Sequence, residues 1–155
     1  IKALVIVPTR ELAVQISQAM DGMGYFTDVY GIPVYGGGDG DLFSTERKAL
    51  STGADVVICT PGRMIAHLQM GYVKLQGLKY LVLDEADRML DMGFHSDILK
   101  IIGFLPKERQ NLLFSATMPP RMRELAKKIL HNPEEINIAI SKPPEKIRQG
   151  AFVVY

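Results

Sequence analysis

The sequence predicts an α/β fold, a parallel sheet with helices on both faces, and two observations carry that prediction. Short runs of Val, Ile and Leu recur along the chain, and segments with apolar residues at helical spacing separate them. Strand-like runs are Ala3–Val7, Val34–Tyr35, Val56–Cys59, Tyr80–Leu83, Leu112–Phe114 and Ile136–Ile140. Several are almost continuously apolar, as expected where both faces of a parallel sheet are covered. Helical stripes fall at Leu12, Ile16, Ala19 and Met23, at Ile98, Ile101, Ile102 and Leu105, and at Met122, Leu125, Ala126, Ile129 and Leu130. Strand followed by helix, repeated about five times, gives a doubly wound sheet. Such sheets bind ligands at the carboxyl ends of their strands, so chemistry is expected in the strand-to-helix turns.

The composition excludes several classes. With 155 residues, 47% hydrophobic and 23% charged, the chain has the balance of a globular domain large enough to bury a core. No apolar run is long enough to span a bilayer, so no membrane partner is expected. Ile1–Val7 reads as a buried strand, not a signal peptide. The lone Cys59 sits inside an apolar strand and is expected to be an inert core thiol; a reducing, cytoplasmic compartment fits that usage, and a monomer is expected. His67, His95 and His131 lack ligand spacing and are expected at the surface or at helix ends. The net charge is only +1, with seven basic against four acidic residues from Pro119 onward. That bias alone does not argue for nucleic acid. Ser141–Gln149, rich in Pro, Lys and Glu, reads as a linker, and Phe152–Tyr155 as the start of another strand. The expected division is therefore a domain over 1–140 and a linker with the start of a second domain over 141–155.

Four turns carry unusual residues. After the first strand comes Pro8-Thr9-Arg10-Glu11-Leu12, where Thr9 can cap a helix and Glu11 suits its dipole. Free N–H groups at that helix start, beside Arg10, also suit a phosphodiester. Thr60-Pro61-Gly62-Arg63 repeats the device after Val56–Cys59, with Pro61 at the first helical position. Between them, Tyr35-Gly36-Gly37-Gly38-Asp39-Gly40 is too rich in glycine for a helix and reads as a turn. Tyr80–Leu83 delivers Asp84 and Glu85 at its end, followed by Ala86 and Asp87. Adjacent carboxylates there can hold Mg²⁺ and activate a water beside a nucleotide, or simply cap a helix. Ser115-Ala116-Thr117 follows Leu112–Phe114, and its hydroxyls can cap a helix or meet Asp87 on the neighbouring strand end.

Singly, each turn has a bland reading; in one order, each at a strand end, they do not. The series Pro-Thr-Arg-Glu-Leu, Gly-Gly, Thr-Pro-Gly-Arg, Asp-Glu-Ala-Asp and Ser-Ala-Thr closely resembles motifs Ia, GG, Ib, II and III of the DEAD-box RNA helicases. Asp87–Phe94 looks most like the bacterial RhlE-type branch. The resemblance covers essentially the whole chain. It implies a RecA-like sheet and a parent that couples ATP hydrolysis to RNA duplex unwinding or RNP remodelling. On that resemblance Asp84 and Glu85 handle Mg²⁺–ATP and the catalytic water, and Asp87 bonds Ser115 or Thr117. Pro8, Thr9, Arg10, Gly36, Gly37, Thr60, Gly62 and Arg63 then line the path of one RNA strand, gripped by its sugar-phosphate backbone. The family's glycine-rich phosphate loop is expected before Ile1, and no Gly-x-x-x-x-Gly-Lys-[Ser/Thr] occurs in the 155 residues. A second RecA-like domain is expected after Tyr155. The chain is thus expected to be a fragment, inactive alone, that lacks the phosphate-loop strand and helix. Two alternatives are a non-catalytic RNA- or partner-binding module and a DNA helicase or translocase of a related superfamily.

Overall fold

The computed structural model describes residues 1–38 and 40–138. The strands are β1 (Ala3–Ile6), β2 (Gly31–Val34), β3 (Val56–Cys59), β4 (Tyr80–Leu83) and β5 (Gln110–Leu113). The helices are α1 (Arg10–Gly24), α2 (Gly40–Thr52), α3 (Pro61–Gln69), α4 (Ala86–Asp91), α5 (His95–Gly103) and α6 (Pro120–Ile129). All strand pairs are parallel, in the order β2-β3-β1-β4-β5.

The order explains which helix covers which face. From β1 the chain moves outward past β3 to β2, then turns back through β3 and across β1 to β4 and β5. Right-handed crossovers in opposite directions must lie on opposite faces. Accordingly α1, the one outward crossover, packs alone with Val5, Val7, Val56 and Ile58. The remaining helices cover the other face, around Leu4, Ile6, Val57, Cys59, Leu81 and Leu83. Burying each such leucine contributes about 1.5–3 kcal/mol. On the α1 side, Tyr80 and Phe114 are exposed and Val82 and Leu112 are half-buried. β5 pairs only with β4, and an open cleft of about 1010 Å³ runs along it between Leu105, Leu112 and Ile129.

Several element boundaries differ from expectation. β2 is Gly31–Val34 rather than Val34–Tyr35, because an edge strand tolerates Pro33. β5 starts at Gln110, two residues early, since Asn111 has a use there: its Nδ2 donates to the Ile129 carbonyl at 2.7 Å. Ile136–Ile138 form no strand and are exposed, and the rest of that run and residues 141–155 lie outside the described residues. On α1 the predicted Leu12 and Ile16 pack against the sheet beside buried Ala13, and Ser17 is also buried, whereas Ala19 and Met23 are exposed. α2 was not foreseen at all. Cys59 is buried as expected, and burial pushes its thiol far above the ordinary range. No helix among the described residues is long and apolar enough to cross a membrane.

Leu81→Ala removes a fully buried side chain from β4 and should cost about 2–5 kcal/mol in urea unfolding of the domain. Ile136→Ala, at an exposed site, should stay within about 0.5 kcal/mol. Equal effects would contradict this placement of the core.

Candidate functional site

The register sets Ile6, Cys59 and Val34 in one row with Leu83 and Leu113. The turns after these five residues therefore share one edge of the sheet. Thr9, Thr60, Asp84 and Ser115 all lie there, as the sequence predicted. The strand order reverses at β1, so the crevice of a doubly wound sheet opens between the ends of β1 and β4.

Asp84 and Glu85 stand at that crevice. The Asp84 N–H donates to the Ile6 carbonyl at 3.0 Å, and its Oδ1 accepts from the Glu85 N–H at 2.9 Å. Glu85 occupies the N-cap position of α4, yet its side chain makes no cap bond. It also adopts left-handed backbone angles, φ 49° and ψ 48°, which cost a non-glycine residue about 1–2 kcal/mol. Simple helix capping therefore does not account for the pair, and strain of this kind collects where function needs it. The Glu85 carboxylate rests 3.1 Å from Arg88 on the exposed side of α4, a partner the sequence did not suggest. Asp84 and Glu85 supply hard oxygen donors without a closed cage; among the described residues no group of three or more potential metal ligands occurs. That donor set fits Mg²⁺, which binds through one or two carboxylates together with nucleotide phosphates.

Two residues on, Asp87 joins α4 to the turn after β5. Its Oδ2 accepts from the Thr117 hydroxyl at 2.7 Å and from the Thr117 N–H at 2.9 Å. Ser115 Oγ accepts from the Asp87 N–H at 3.3 Å and donates to the Thr117 carbonyl at 2.7 Å. Partial burial alone would push the Asp87 carboxyl up; the bonds from Thr117, the Arg88 N–H and Ser115 outweigh it and hold Asp87 below its usual range. Ser115 and Thr117 do not cap α6, whose N-cap is Pro119.

The other two turns form a rim. Thr9 caps α1 by accepting from the Leu12 N–H at 3.3 Å. Thr60 makes no cap bond, which leaves its hydroxyl without that duty at the start of α3. Gly36 and Gly62 are exposed, and Pro8 is buried beneath the first turn. Gly37 has φ +93°, and a Cβ there would meet Arg10 Nη1 at 3.1 Å. Both features favour glycine at that position. The Arg10 guanidinium lies 6.0 Å above the Tyr35 ring and its side chain is half-exposed. Arg63 differs: its side chain is only 16% exposed, its Nε donates to Glu46 Oε2 at 2.7 Å, and it stacks 4.4 Å over Phe43. His67, expected at the surface or a helix end, is in the last turn of α3 but fully buried, held by the same Glu46 at 2.9 Å. Sequence reasoning missed Glu46, and Tyr72, whose hydroxyl bonds His67 Nδ1. The available signal was a charged residue inside the apolar stripe Phe43, Glu46, Ala49, Leu50.

Comparison with known proteins bears on what this edge is for. The DEAD/DEAH box helicase family model matches residues 1–126. The chain belongs to that family. ATP-dependent RNA helicase DeaD of Buchnera aphidicola subsp. Schizaphis graminum is 44% identical over 155 residues, 98% of this chain and 25% of that protein. ATP-dependent RNA helicase CshA of Listeria monocytogenes is 44% identical over 99% of this chain and 29% of its own length. The crystal structure of a DEAD box protein from Methanococcus jannaschii superposes with a TM-score of 0.79 at 39% identity, over 85% of this chain and 35% of that one. This DEAD-box chain thus spans about a quarter of the length of these curated relatives, and its five-stranded parallel sheet is RecA-like.

The Asp87 network predicts a pH dependence. A carboxyl lowered by folding contributes stability that is complete above its unfolded value, about 3.8, and is lost as pH falls through its lower folded value. Asp87→Asn should therefore make stability fall less steeply with acid below about pH 3.8, read as urea midpoints across pH. An unchanged acid slope would mean that the Thr117 and Ser115 bonds hold nothing in solution.

Proposed function

We propose that the protein containing this chain is an ATP-dependent RNA helicase, and that this edge is one wall of its motor. The observation that carries the reading is the pairing of two carboxylates at the strand-order reversal with Asp87, which is bonded to the next strand end at 2.7 Å. Asp84 holds Mg²⁺ directly or through its waters, and Glu85 orients and deprotonates the attacking water. Bound Mg²⁺ neutralises charge on the nucleotide phosphates. Asp87, Ser115 and Thr117 carry the state of that site to the neighbouring turn. Thr9, Arg10, Gly36, Gly37, Thr60, Gly62 and Arg63 form the RNA rim, with buried Pro8 beneath it. The helix starts of α1 and α3 there offer N–H groups to phosphates, which suits backbone recognition rather than base reading.

Two further parts belong to the whole protein. A phosphate-loop strand paired on the free edge of β5 would make β5 central and cover the half-exposed Leu112 and Leu113. A second RecA-like domain, reached through residues 141–155, would supply the facing half of the cleft. The run Asp87–Phe94 further supports a place near the RhlE-type branch.

In the full-length protein Glu85→Gln keeps the size and a hydrogen-bonding oxygen but removes the base. Single-turnover hydrolysis should fall by about 100-fold or more, the scale of a general base. ATP binding should survive, and the variant should accumulate as a slow-dissociating complex with RNA. Asp84→Asn should instead weaken Mg²⁺–ATP binding and yield no such complex. Hydrolysis by Glu85→Gln at the parental rate would reject the catalytic assignment.

A further inference from the structure

Glu46 is the only carboxylate among the described residues that is fully buried, and three donors from two segments, the loop after β2 and helix α3, converge on it. Its Oε1 accepts from the Tyr35 N–H at 3.1 Å, the residue that opens the glycine loop. Its Oε2 accepts from Arg63 Nε at 2.7 Å, in the first turn of α3, and is 2.9 Å from His67 Nε2 in the last turn. His67 stacks on Phe43 with ring centroids 4.4 Å apart, and its Nδ1 is hydrogen-bonded to the Tyr72 hydroxyl. The cluster spans the loop after β2, helix α2, both ends of α3 and the segment beyond it. Burial would push the Glu46 carboxyl up, but the bonds from His67, Arg63 and Tyr35 outweigh that and keep it lowered.

A buried ion cluster is a poor way to gain stability, since a well-packed apolar side chain often does as well. What it does supply is fixed geometry. Arg63 has spent its Nε and one face on this cluster, which leaves it a poor free cation for a phosphate. Arg10, half-exposed and stacked above Tyr35, is by contrast open to solvent. We propose that Glu46 is a positioning residue of the RNA rim, clamping the Tyr35–Gly38 loop to the start of α3. Arg63 is then mainly the other jaw of that clamp. With both in place, the N–H groups of the loop and of the Thr60 turn keep one spacing along a nucleic-acid backbone. This rests on the RNA reading given above.

The test uses the full-length helicase and measures ATPase rate against the concentration of a single-stranded RNA. Glu46→Ala should raise the half-saturating RNA concentration about tenfold, the size of one or two charge-assisted contacts. The KM for ATP at saturating RNA should move by less than about twofold. Glu46→Gln, which offers one acceptor where three donors converge, should fall between parent and Ala, and it decides the matter if the Ala variant does not fold. Adding Glu46→Ala to Arg63→Ala should cause little further loss, because both break the same clamp. Parental RNA dependence in the folded Gln variant would overturn the inference. So would tighter RNA binding, since Glu46 would then be restraining an RNA-gripping Arg63. A proportional fall of every kinetic constant would also overturn it, as a purely structural carboxylate gives that result. Absence of any RNA stimulation in the parent would instead reject the RNA reading itself.

Discussion

Parallel pairing in a common register is the constraint from which the site follows. Because Ile6, Val34, Cys59, Leu83 and Leu113 end in one row, five separate turns are delivered to one edge. No turn needs its own scaffold. The fully buried stretches Val57–Cys59 and Leu81–Leu83, interrupted only by half-buried Val82, make that row rigid. Reversal of the strand order at β1 then opens the crevice beside Asp84.

Polar groups at and behind that edge fall into two sets. One set runs from Asp84 and Glu85 through Asp87 to Ser115 and Thr117, with bonds between 2.7 and 3.3 Å. The other gathers Tyr35, Arg63, His67 and Tyr72 around Glu46. The first is partly open to solvent and contains the strained backbone of Glu85. The second centres on fully buried Glu46 and His67, and among its buried side-chain polar atoms only Arg63 Nη2 lacks a partner. A chemical site needs accessible, responsive groups, whereas a frame needs fixed ones; the two sets divide those duties.

Much of this was legible in the sequence, for reasons that particular residues make plain. Val56–Cys59 and Tyr80–Leu83 were delimited correctly because inner strands of a parallel sheet are apolar almost throughout. The stripes of α5 and α6 were read correctly because each packs one continuous face, with Ile98, Ile101, Met122 and Leu125 fully buried. β2 was displaced because Gly31 and Pro33 argue against a strand except at an edge. Edge position is a tertiary fact. Glu46 and His67 were missed for a related reason: their burial depends on α2 meeting α3, and neither residue looks apolar. The meeting of Asp87 with Thr117 was legible as a possibility, and the register turned it into contacts.

On the proposed function, one sheet edge couples the nucleotide site to the RNA rim through Asp87 and its bonds to Ser115 and Thr117. The most direct measurement is the affinity of the full-length protein for single-stranded RNA, with and without a non-hydrolysable ATP analogue, in the parent and in Asp87→Ala. Linkage requires the two ligands to strengthen each other by the same factor. The analogue should tighten RNA binding by about tenfold or more in the parent, within the usual range of such coupling, and Asp87→Ala should bring the factor close to one. An undiminished factor in Asp87→Ala would contradict this role for Asp87, because the coupling would then bypass the bonds to Ser115 and Thr117.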